Sequence, residues 1–551
     1  MLDVVVIGAG FAGLYSIHKL TRAGLRVAGY EKGGDVGGVW YWNRYPGARC
    51  DCESHVYSYG FSDELQQEWN WTLRYSEQPE ILQYLGHVAD RFDLRRHIRF
   101  NTTVLAAIFL ESENCWQIET SDGDRVFSRF IVAAAGGISA VQRPTFPGFE
   151  RFAGRSYYTA QWPHEGADLA GKRVGIIGTG ASGVQCVSTL APQVQHLTVF
   201  QRTANWVFPV WNGPTDPAVD RRVKAEYPHL RRASLDTAGG FPFDLVEGSA
   251  LSVSAEERAA IYQRAWKLGG VMFMSRSFND LLVNREANET AAEFVRAYIR
   301  GTVKDPAVAE TLIPVDHPIG TKRPPMDDKY YETFNRDNVT LVDLRKSPLI
   351  EFVPEGIRTS AGVHELDVVI FATGFDTITG ALTRIDIRGR EGRSLAAKWS
   401  TGAQTYLGLA MAGFPNLFTI TGPLSPSVLA NMPTAIEQHV DWITDCLLFM
   451  REHGYGVVEP TAAAEEEWTR HSMEVAAGSL FPLANSWYLG CNVPGKPRVF
   501  GVYVGGFGHY RRKCDQVASA GYEGFLFDGA AHGAPTAARA GTPSQAHASH
   551  A

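Results

Sequence analysis

Val4-Val5-Val6-Ile7-Gly8-Ala9-Gly10-Phe11-Ala12-Gly13 decides how this chain folds. The β-branched run is the pattern of a strand buried on both faces of a parallel sheet. Gly8, Gly10 and Gly13 follow at once, where a missing side chain permits a tight turn and close approach of backbone to a ligand. From Leu14 to Arg22 the pattern turns helical, so the turn ends at a helix N-terminus, which suits a pyrophosphate. Arg26 to Glu31 reads as the next strand. Glu31 stands 18 residues after Gly13, close to the roughly 20 at which an acid bonds a ribose hydroxyl. The glycine spacing alone is a weak signal. Strand, turn, helix, strand and acid in that order predict a dinucleotide-binding unit.

An acid at Glu31 suits a free 2′-hydroxyl and repels a 2′-phosphate, and Gly37-Gly38 follows it; this first unit reads as an FAD site rather than an NADP site. The stretch Gly37-Gly38-Val39-Trp40-Tyr41-Trp42-Asn43-Arg44-Tyr45-Pro46-Gly47-Ala48-Arg49-Cys50-Asp51 comes next. Gly38 lets backbone come close to a ligand, and Trp40, Trp42 and Tyr45 bring flat apolar faces that can wall a planar ring. The segment is expected to lie along the flavin, with Asp51 helping to hold a catalytic cation.

A second unit begins at Arg173-Val174-Gly175-Ile176-Ile177, with the fingerprint Gly178, Gly180 and Gly183 and with Ser182 inside it. Its second strand ends at Gln201-Arg202-Thr203, where Arg202 and Thr203 replace the ribose acid. A cation there suits a 2′-phosphate, and Lys322 supplies another, so this site reads as NADPH-binding. Thr321-Lys322-Arg323-Pro324-Pro325 sets Arg323 before a rigid pair of prolines, which can aim it into a cleft.

The remaining pattern completes an α/β chain of two Rossmann-like dinucleotide-binding domains, one for FAD and one for NADPH, with a helical insertion. The expected parts are 1–137 and 373–528 for the FAD domain, 138–209 and 321–372 for the NADPH domain, and 210–320 for the insertion. Within them, Val104–Phe109 and Cys115–Thr120 predict a small β-excursion, closed by a hairpin turn at 121–124. Ser254 and Glu257 predict a capped helix start, and Gly269-Gly270 its stop. Residues 152–163 read as a connecting segment between the two nucleotide units. Residues 529–551 lack the apolar content to fold and are expected to be a disordered tail.

Composition narrows the function. A net charge of −7 over 551 residues gives no general surface for a polyanion, so nucleic acid is not expected as a partner. Cys50 and Cys52 are separated by one residue, not the two of a redox pair, which disfavours a disulfide reductase. The histidines of the tail lack ligand spacing, so no metal is assigned. No apolar run is long enough to span a bilayer and no basic leader precedes Leu2, so a cytoplasmic location is the expectation. Nothing in the sequence reads out the oligomeric state.

These motifs together resemble the type I Baeyer–Villiger monooxygenases of the cyclohexanone and phenylacetone monooxygenase kind, over residues 1 to about 515. The family motif GGxWxxxxYPGxxxD is matched throughout from Gly37 to Asp51. In FxGxxxHxxxWP, Phe152, Gly154, Trp162 and Pro163 match, but Tyr158 stands at the histidine position. The resemblance implies oxygen insertion from O2 beside a ketone carbonyl, through a flavin peroxide, to give an ester or lactone. It implies Arg323 as the catalytic arginine and Asp51 as its partner. Lys322, Arg202 and Thr203 become contacts to the NADP phosphate, and Trp487 a contact on the nicotinamide side. A phenol at Tyr158 does not titrate near neutral pH as an imidazole does, so altered coupling between domain motion and oxygen chemistry is expected. Two other readings stay open: a flavin monooxygenase acting on nitrogen or sulfur, and a non-catalytic flavin-binding sensor.

Overall fold

The computed structural model describes residues 1–530. The first β-branched run forms the strand Leu2–Ile7, whose last four residues are buried. It pairs in parallel with Val27–Tyr30 on one side and Arg125–Ala133 on the other. The eight-stranded sheet continues to Ile98–Arg99 at one edge. On the other side Cys115–Thr120 and Val104–Leu110 add antiparallel, followed by the parallel strand Asp386–Arg388. Residues 104–120 are therefore not a separate excursion. They extend the main sheet, because Arg125–Ala133 is long enough to pair with Cys115–Thr120 at its start and with Leu2–Ile7 from Ser128 onward.

The helix Phe11–Arg22 packs its apolar side, with Leu14 and Ile17, against Ile436, Val440 and Ile443 of the helix Met432–His453. The late part of the chain thus closes the core begun by the first strand. Leu417–Thr419 returns to pair in parallel with Arg125–Ala133. Phe525–Ala530 pairs antiparallel with Tyr455–Pro460, two residues into the region read as tail; the rest of that tail, 531–551, lies outside the described residues.

The second sheet is wholly parallel, in the order Val339–Asp343, His196–Gln201, Arg173–Ile177, Val368–Phe371, Arg155–Tyr158. The segment read as a connecting loop thus supplies an edge strand, and Tyr158 is its last residue. Gly154 makes the entry possible: a Cβ there would lie 2.4 Å from the Asp367 carbonyl oxygen.

The insertion shares the core of this sheet. Trp266, Phe273, Val295 and Ile299 pack in one cluster with Val174, Ile176 and Val199. Its capped helix runs Ala255–Leu268, with Ser254 Oγ accepting the Glu257 N–H at 3.1 Å and Gly269 following at φ +77°. The long helix Pro217–Asp236 reaches the first domain instead. Asp220 bonds His55 at 2.9 Å, and Arg231 donates to Ser58 Oγ at 2.8 Å. No helix among the described residues is long and apolar enough to cross a membrane.

Candidate active site

Each fingerprint makes a cradle that only glycine allows. Gly8 sits at φ +104°, and a Cβ there would lie 2.6 Å from the Ala134 carbonyl oxygen; at Gly13 it would lie 1.9 Å from the Gly8 carbonyl oxygen. Gly38, at φ +54°, has its Cβ direction 2.9 Å from the Gly10 Cα, so the second glycine pair is laid directly on the first. Gly178 and Gly183 repeat the arrangement, with 2.4 Å to the Ala372 oxygen and 2.0 Å to the Gly178 oxygen, while Gly180 faces open space. Both turns end at helix N-termini, Phe11–Arg22 and Ala181–Leu190, neither carrying a side-chain cap, and the first-turn N–H groups of such a helix suit an anion. The cradles fit the pyrophosphates of FAD and NADP.

Glu31 is buried. One carboxylate oxygen accepts the Ala9 N–H at 2.8 Å and the other the Gly33 N–H at 2.7 Å. These bonds fix the acid beside the first glycine turn and leave further lone pairs for a ribose.

The stretch from Gly37 to Asp51 joins the two nucleotide units. Trp40 and Tyr45 are each only 8% exposed, so they serve first as packing and not as an open wall. Trp40 Nε1 donates to the Tyr57 hydroxyl at 3.2 Å. Tyr45 donates to Gln185 Oε1 at 2.8 Å, with Ser182 beside its hydroxyl. Gly47, at φ +83°, lies against the same helix, where a Cβ would come 2.2 Å from Thr189 Oγ1. Arg49 Nη2 donates to Asp327 Oδ2 at 2.9 Å, and Ser188 donates to that same oxygen at 2.7 Å. None of these contacts across the domain boundary carried a signal in the sequence, because each partner looks like an ordinary helix or loop residue.

Asp51 and Arg323, 272 residues apart, form a two-pronged ion pair. Arg323 Nε donates to Oδ2 at 2.6 Å and Nη2 to Oδ1 at 2.8 Å. Arg323 Nη1 donates to the Val428 carbonyl oxygen. The side chains are 31% and 22% exposed, so the pair lies in a cleft and not in the core. Burial pushes the Asp51 carboxyl up, but the guanidinium outweighs it and holds the group below the ordinary carboxylate value. In return, Asp51 holds the Arg323 pKa well above its ordinary value against the opposing effect of burial. Tyr488, buried against the guanidinium, is pushed up to about 12 chiefly by that burial and stays protonated at neutral pH. Tyr488 and the Val428 carbonyl were not singled out by sequence. The first sits beside the chosen Trp487, and the second is a backbone acceptor that no residue type announces.

Around the second cradle, Arg202 is exposed and Thr203 half-buried, with Thr179 Oγ1 donating to the Thr203 carbonyl at 2.7 Å. The Lys322 side chain is 14% exposed and faces Asp316 at 3.8 Å. Its pKa is lowered by burial and by the nearby charge of Arg202, while Asp316 opposes the shift. Two cations share one neighbourhood, the arrangement a dianionic phosphate needs.

Tyr158 stacks on Phe371 at 4.8 Å, and the Arg143 guanidinium lies 5.3 Å over its ring. Trp487 is half-buried and opens a short helical turn, Trp487–Leu489; its carbonyl accepts from Thr377 Oγ1 at 3.0 Å. Lys496 bonds Asp376 at 2.6 Å and the Thr377 carbonyl at 2.7 Å. The loop carrying Trp487 and Tyr488 is thereby tied to the crossing between the domains.

A family model described as flavin-binding monooxygenase-like matches residues 2–226. The chain is 45% identical to a Baeyer–Villiger monooxygenase of Pseudooceanicola batsensis, over 96% of each chain. It is 41% identical to phenazine N-monooxygenase PhzNO1 of Lysobacter antibioticus, over 95% of this chain and 96% of that one. Among solved structures, an oxidized steroid monooxygenase bound to NADP is 51% identical, with a TM-score of 0.92 over 96% of this chain and 99% of that one. A structure of OTEMO in complex with FAD and NADP is 42% identical, with the same TM-score and coverage. Full-length identity of this order, on a fold with two nucleotide cradles, makes the chain a member of the Baeyer–Villiger group of flavin-binding monooxygenases.

Proposed function

We propose that this chain is an FAD- and NADPH-dependent Baeyer–Villiger monooxygenase that inserts one oxygen atom of O2 beside the carbonyl of a small-molecule ketone, giving an ester or lactone. The observation that carries the reading is the pair of Asp51 and Arg323, held in a cleft beside the stretch that joins both cradles. Glu31, Gly8, Gly10, Gly13 and Gly38 would hold FAD, with Trp40 packed behind it. Gly178, Gly180, Ser182, Gly183, Arg202, Thr203 and Lys322 would hold NADPH, and Trp487 stands on the loop beside it. When bound, the flavin takes a hydride from NADPH and activates oxygen.

Arg323 does the work that falls to the protein. A guanidinium has five N–H donors. Two are spent on Asp51, one on Val428 and one on the Tyr488 hydroxyl, so one remains to face a developing oxyanion. The charge is permanent, and the rigid fork needs no reorganisation as negative charge builds on the carbonyl oxygen. Asp51 sets the plane of the fork. Tyr488, kept protonated, places no competing negative charge beside it.

Arg323→Ala tests the reading. It removes a preorganised charged donor, and such a donor is worth about 100- to 1,000-fold in rate. Ester formation should fall by that order while NADPH is still consumed and hydrogen peroxide is released. Full ester yield from the variant refutes the assignment.

Oxidation at nitrogen is a second reading, favoured by the similarity to an enzyme named a phenazine N-monooxygenase. Parallel incubations with a panel of ketones, a thioether and a heteroaromatic amine, with products identified by mass, separate the two.

A further inference from the structure

We propose that Cys50, Asp51 and Cys52 form a binding site for a soft divalent metal ion, zinc or cadmium, and that the ion inhibits the enzyme by competing with Arg323 for Asp51. The inhibition rests on the function proposed above; the binding does not.

The two sulfurs and a carboxylate oxygen of Asp51 already lie within 4.8 Å of one another. Cys52 Sγ is 3.6 Å from Asp51 Oδ1, and Cys50 Sγ accepts the Cys52 N–H at 3.4 Å. In an extended chain the middle residue would point away from its neighbours. The backbone bends at Asp51 and Cys52, which turns all three donors to one place. Ligands about 2.0–2.3 Å from a tetrahedral zinc stand roughly 3.5–4 Å from each other, so the donors need to close by only about 1 Å. Three protein donors leave the fourth position to water.

Charge and softness agree with this assignment. Asp51 with Arg323 is neutral. A divalent ion that displaces one proton from each thiol, M²⁺ + 2 RSH → M(SR)₂ + 2 H⁺, leaves the cluster neutral again. Two sulfur donors select zinc or cadmium over magnesium or calcium. Cys50 and Cys52 are each 5% exposed, yet they border the cleft through Asp51, which gives a small ion a way in. The other buried thiols, such as Cys186 and Cys514, fall in no comparable cluster among the described residues.

The route to inhibition runs through one atom. Asp51 Oδ1 touches Cys52 Sγ and also receives Arg323 Nη2 at 2.8 Å. An ion seated there takes one of the two prongs from the guanidinium.

The test titrates the FAD-loaded enzyme with cadmium chloride and follows the ultraviolet sulfur-to-cadmium charge-transfer band. One cadmium should bind per chain. The band should be lost in Cys52→Ser and in Cys50→Ser, made side by side so that one folded variant suffices, and kept in Cys514→Ser. Ester formation by the parent should fall by about tenfold or more, the value of one charge-assisted hydrogen bond, and recover with a chelator. Magnesium chloride should do neither. No band in the parent, a band that persists in both cysteine variants, or a filled site that leaves ester formation unchanged overturns the proposal. An enzyme that makes no ester without added metal fails the functional reading instead, and the band then still tests the site.

Discussion

Asp51→Ala gives the sharpest test of how the cleft works. The change leaves Arg323 with its bond to the Val428 carbonyl and removes two bonds to a carboxylate, at 2.6 and 2.8 Å. A hydrogen bond to a charged group is worth about 1.5–3 kcal/mol, and breaking a fully buried pair costs about 3–5 kcal/mol. The two side chains are 31% and 22% exposed, so water replaces part of what is lost. An intermediate figure of about 2–3 kcal/mol follows, or about 30- to 150-fold in kcat/KM for ester formation. NADPH oxidation, which does not need the fork, should fall far less. The assay measures ester by gas chromatography and NADPH by absorbance on the same samples. If Asp51 acts only by aiming Arg323, the double variant with Arg323→Ala should be no worse than Arg323→Ala alone. Ester yield per NADPH within about twofold of the parent, or losses that add in the double variant, refute the reasoning.

Arg202→Ala should raise KM for NADPH by about tenfold, as expected for one charge-assisted contact, and leave KM for NADH nearly unchanged; equal effects on both count against a phosphate contact. Tyr158→His puts an imidazole at the edge-strand position and should raise product formed per NADPH consumed without changing KM for NADPH, as steady-state assays with product analysis would reveal. Glu437 gives a pH signature. Its carboxylate is pushed up to about 7, chiefly by burial, although Oε1 accepts the Gly60 and Phe61 N–H groups. In the unfolded chain it loses its proton near about pH 4.3, so its contribution to stability is full below that pH and is lost as pH rises through about 7. Glu437→Gln keeps an oxygen for both N–H groups and carries no charge. By urea denaturation it should be more stable than the parent at pH 8, by up to about 4 kcal/mol, and the gain should vanish near pH 4.

Much of the scaffold was legible because its determinants are local. A β-branched run, a glycine turn and a helix lie within about 30 residues of each other, and their order is the fold signal. Gly8, Gly13, Gly178 and Gly183 were readable for the same reason, since each is needed where a Cβ would strike backbone a few residues away or on the adjoining strand. The long-range pairings were less legible. Residues 104–120 read as an excursion because alternation says that a strand exists but not which sheet takes it. Residues 152–163 read as a connection because Arg155–Tyr158 is short and exposed at its start, and only the Val368–Phe371 edge makes it a strand. Trp40 and Tyr45 looked like walls for a ring, and burial made them packing first.

The sequence by itself determined two nucleotide cradles, the acid that marks one, the cations that mark the other, and the candidacy of Asp51 and Arg323. The cradles, the acid and the cations are residue types at a spacing, which a linear chain records; the paired roles of Asp51 and Arg323 were implied by the family resemblance. Only the tertiary structure decided that the carboxylate and the guanidinium meet in a two-pronged pair across 272 residues, that the Val428 carbonyl and Tyr488 complete its surroundings, and that Cys50 and Cys52 turn inward beside it. The physical reason is that a hydrogen bond depends on separation and direction in space, which are fixed only when both sheets and the stretch between them have packed.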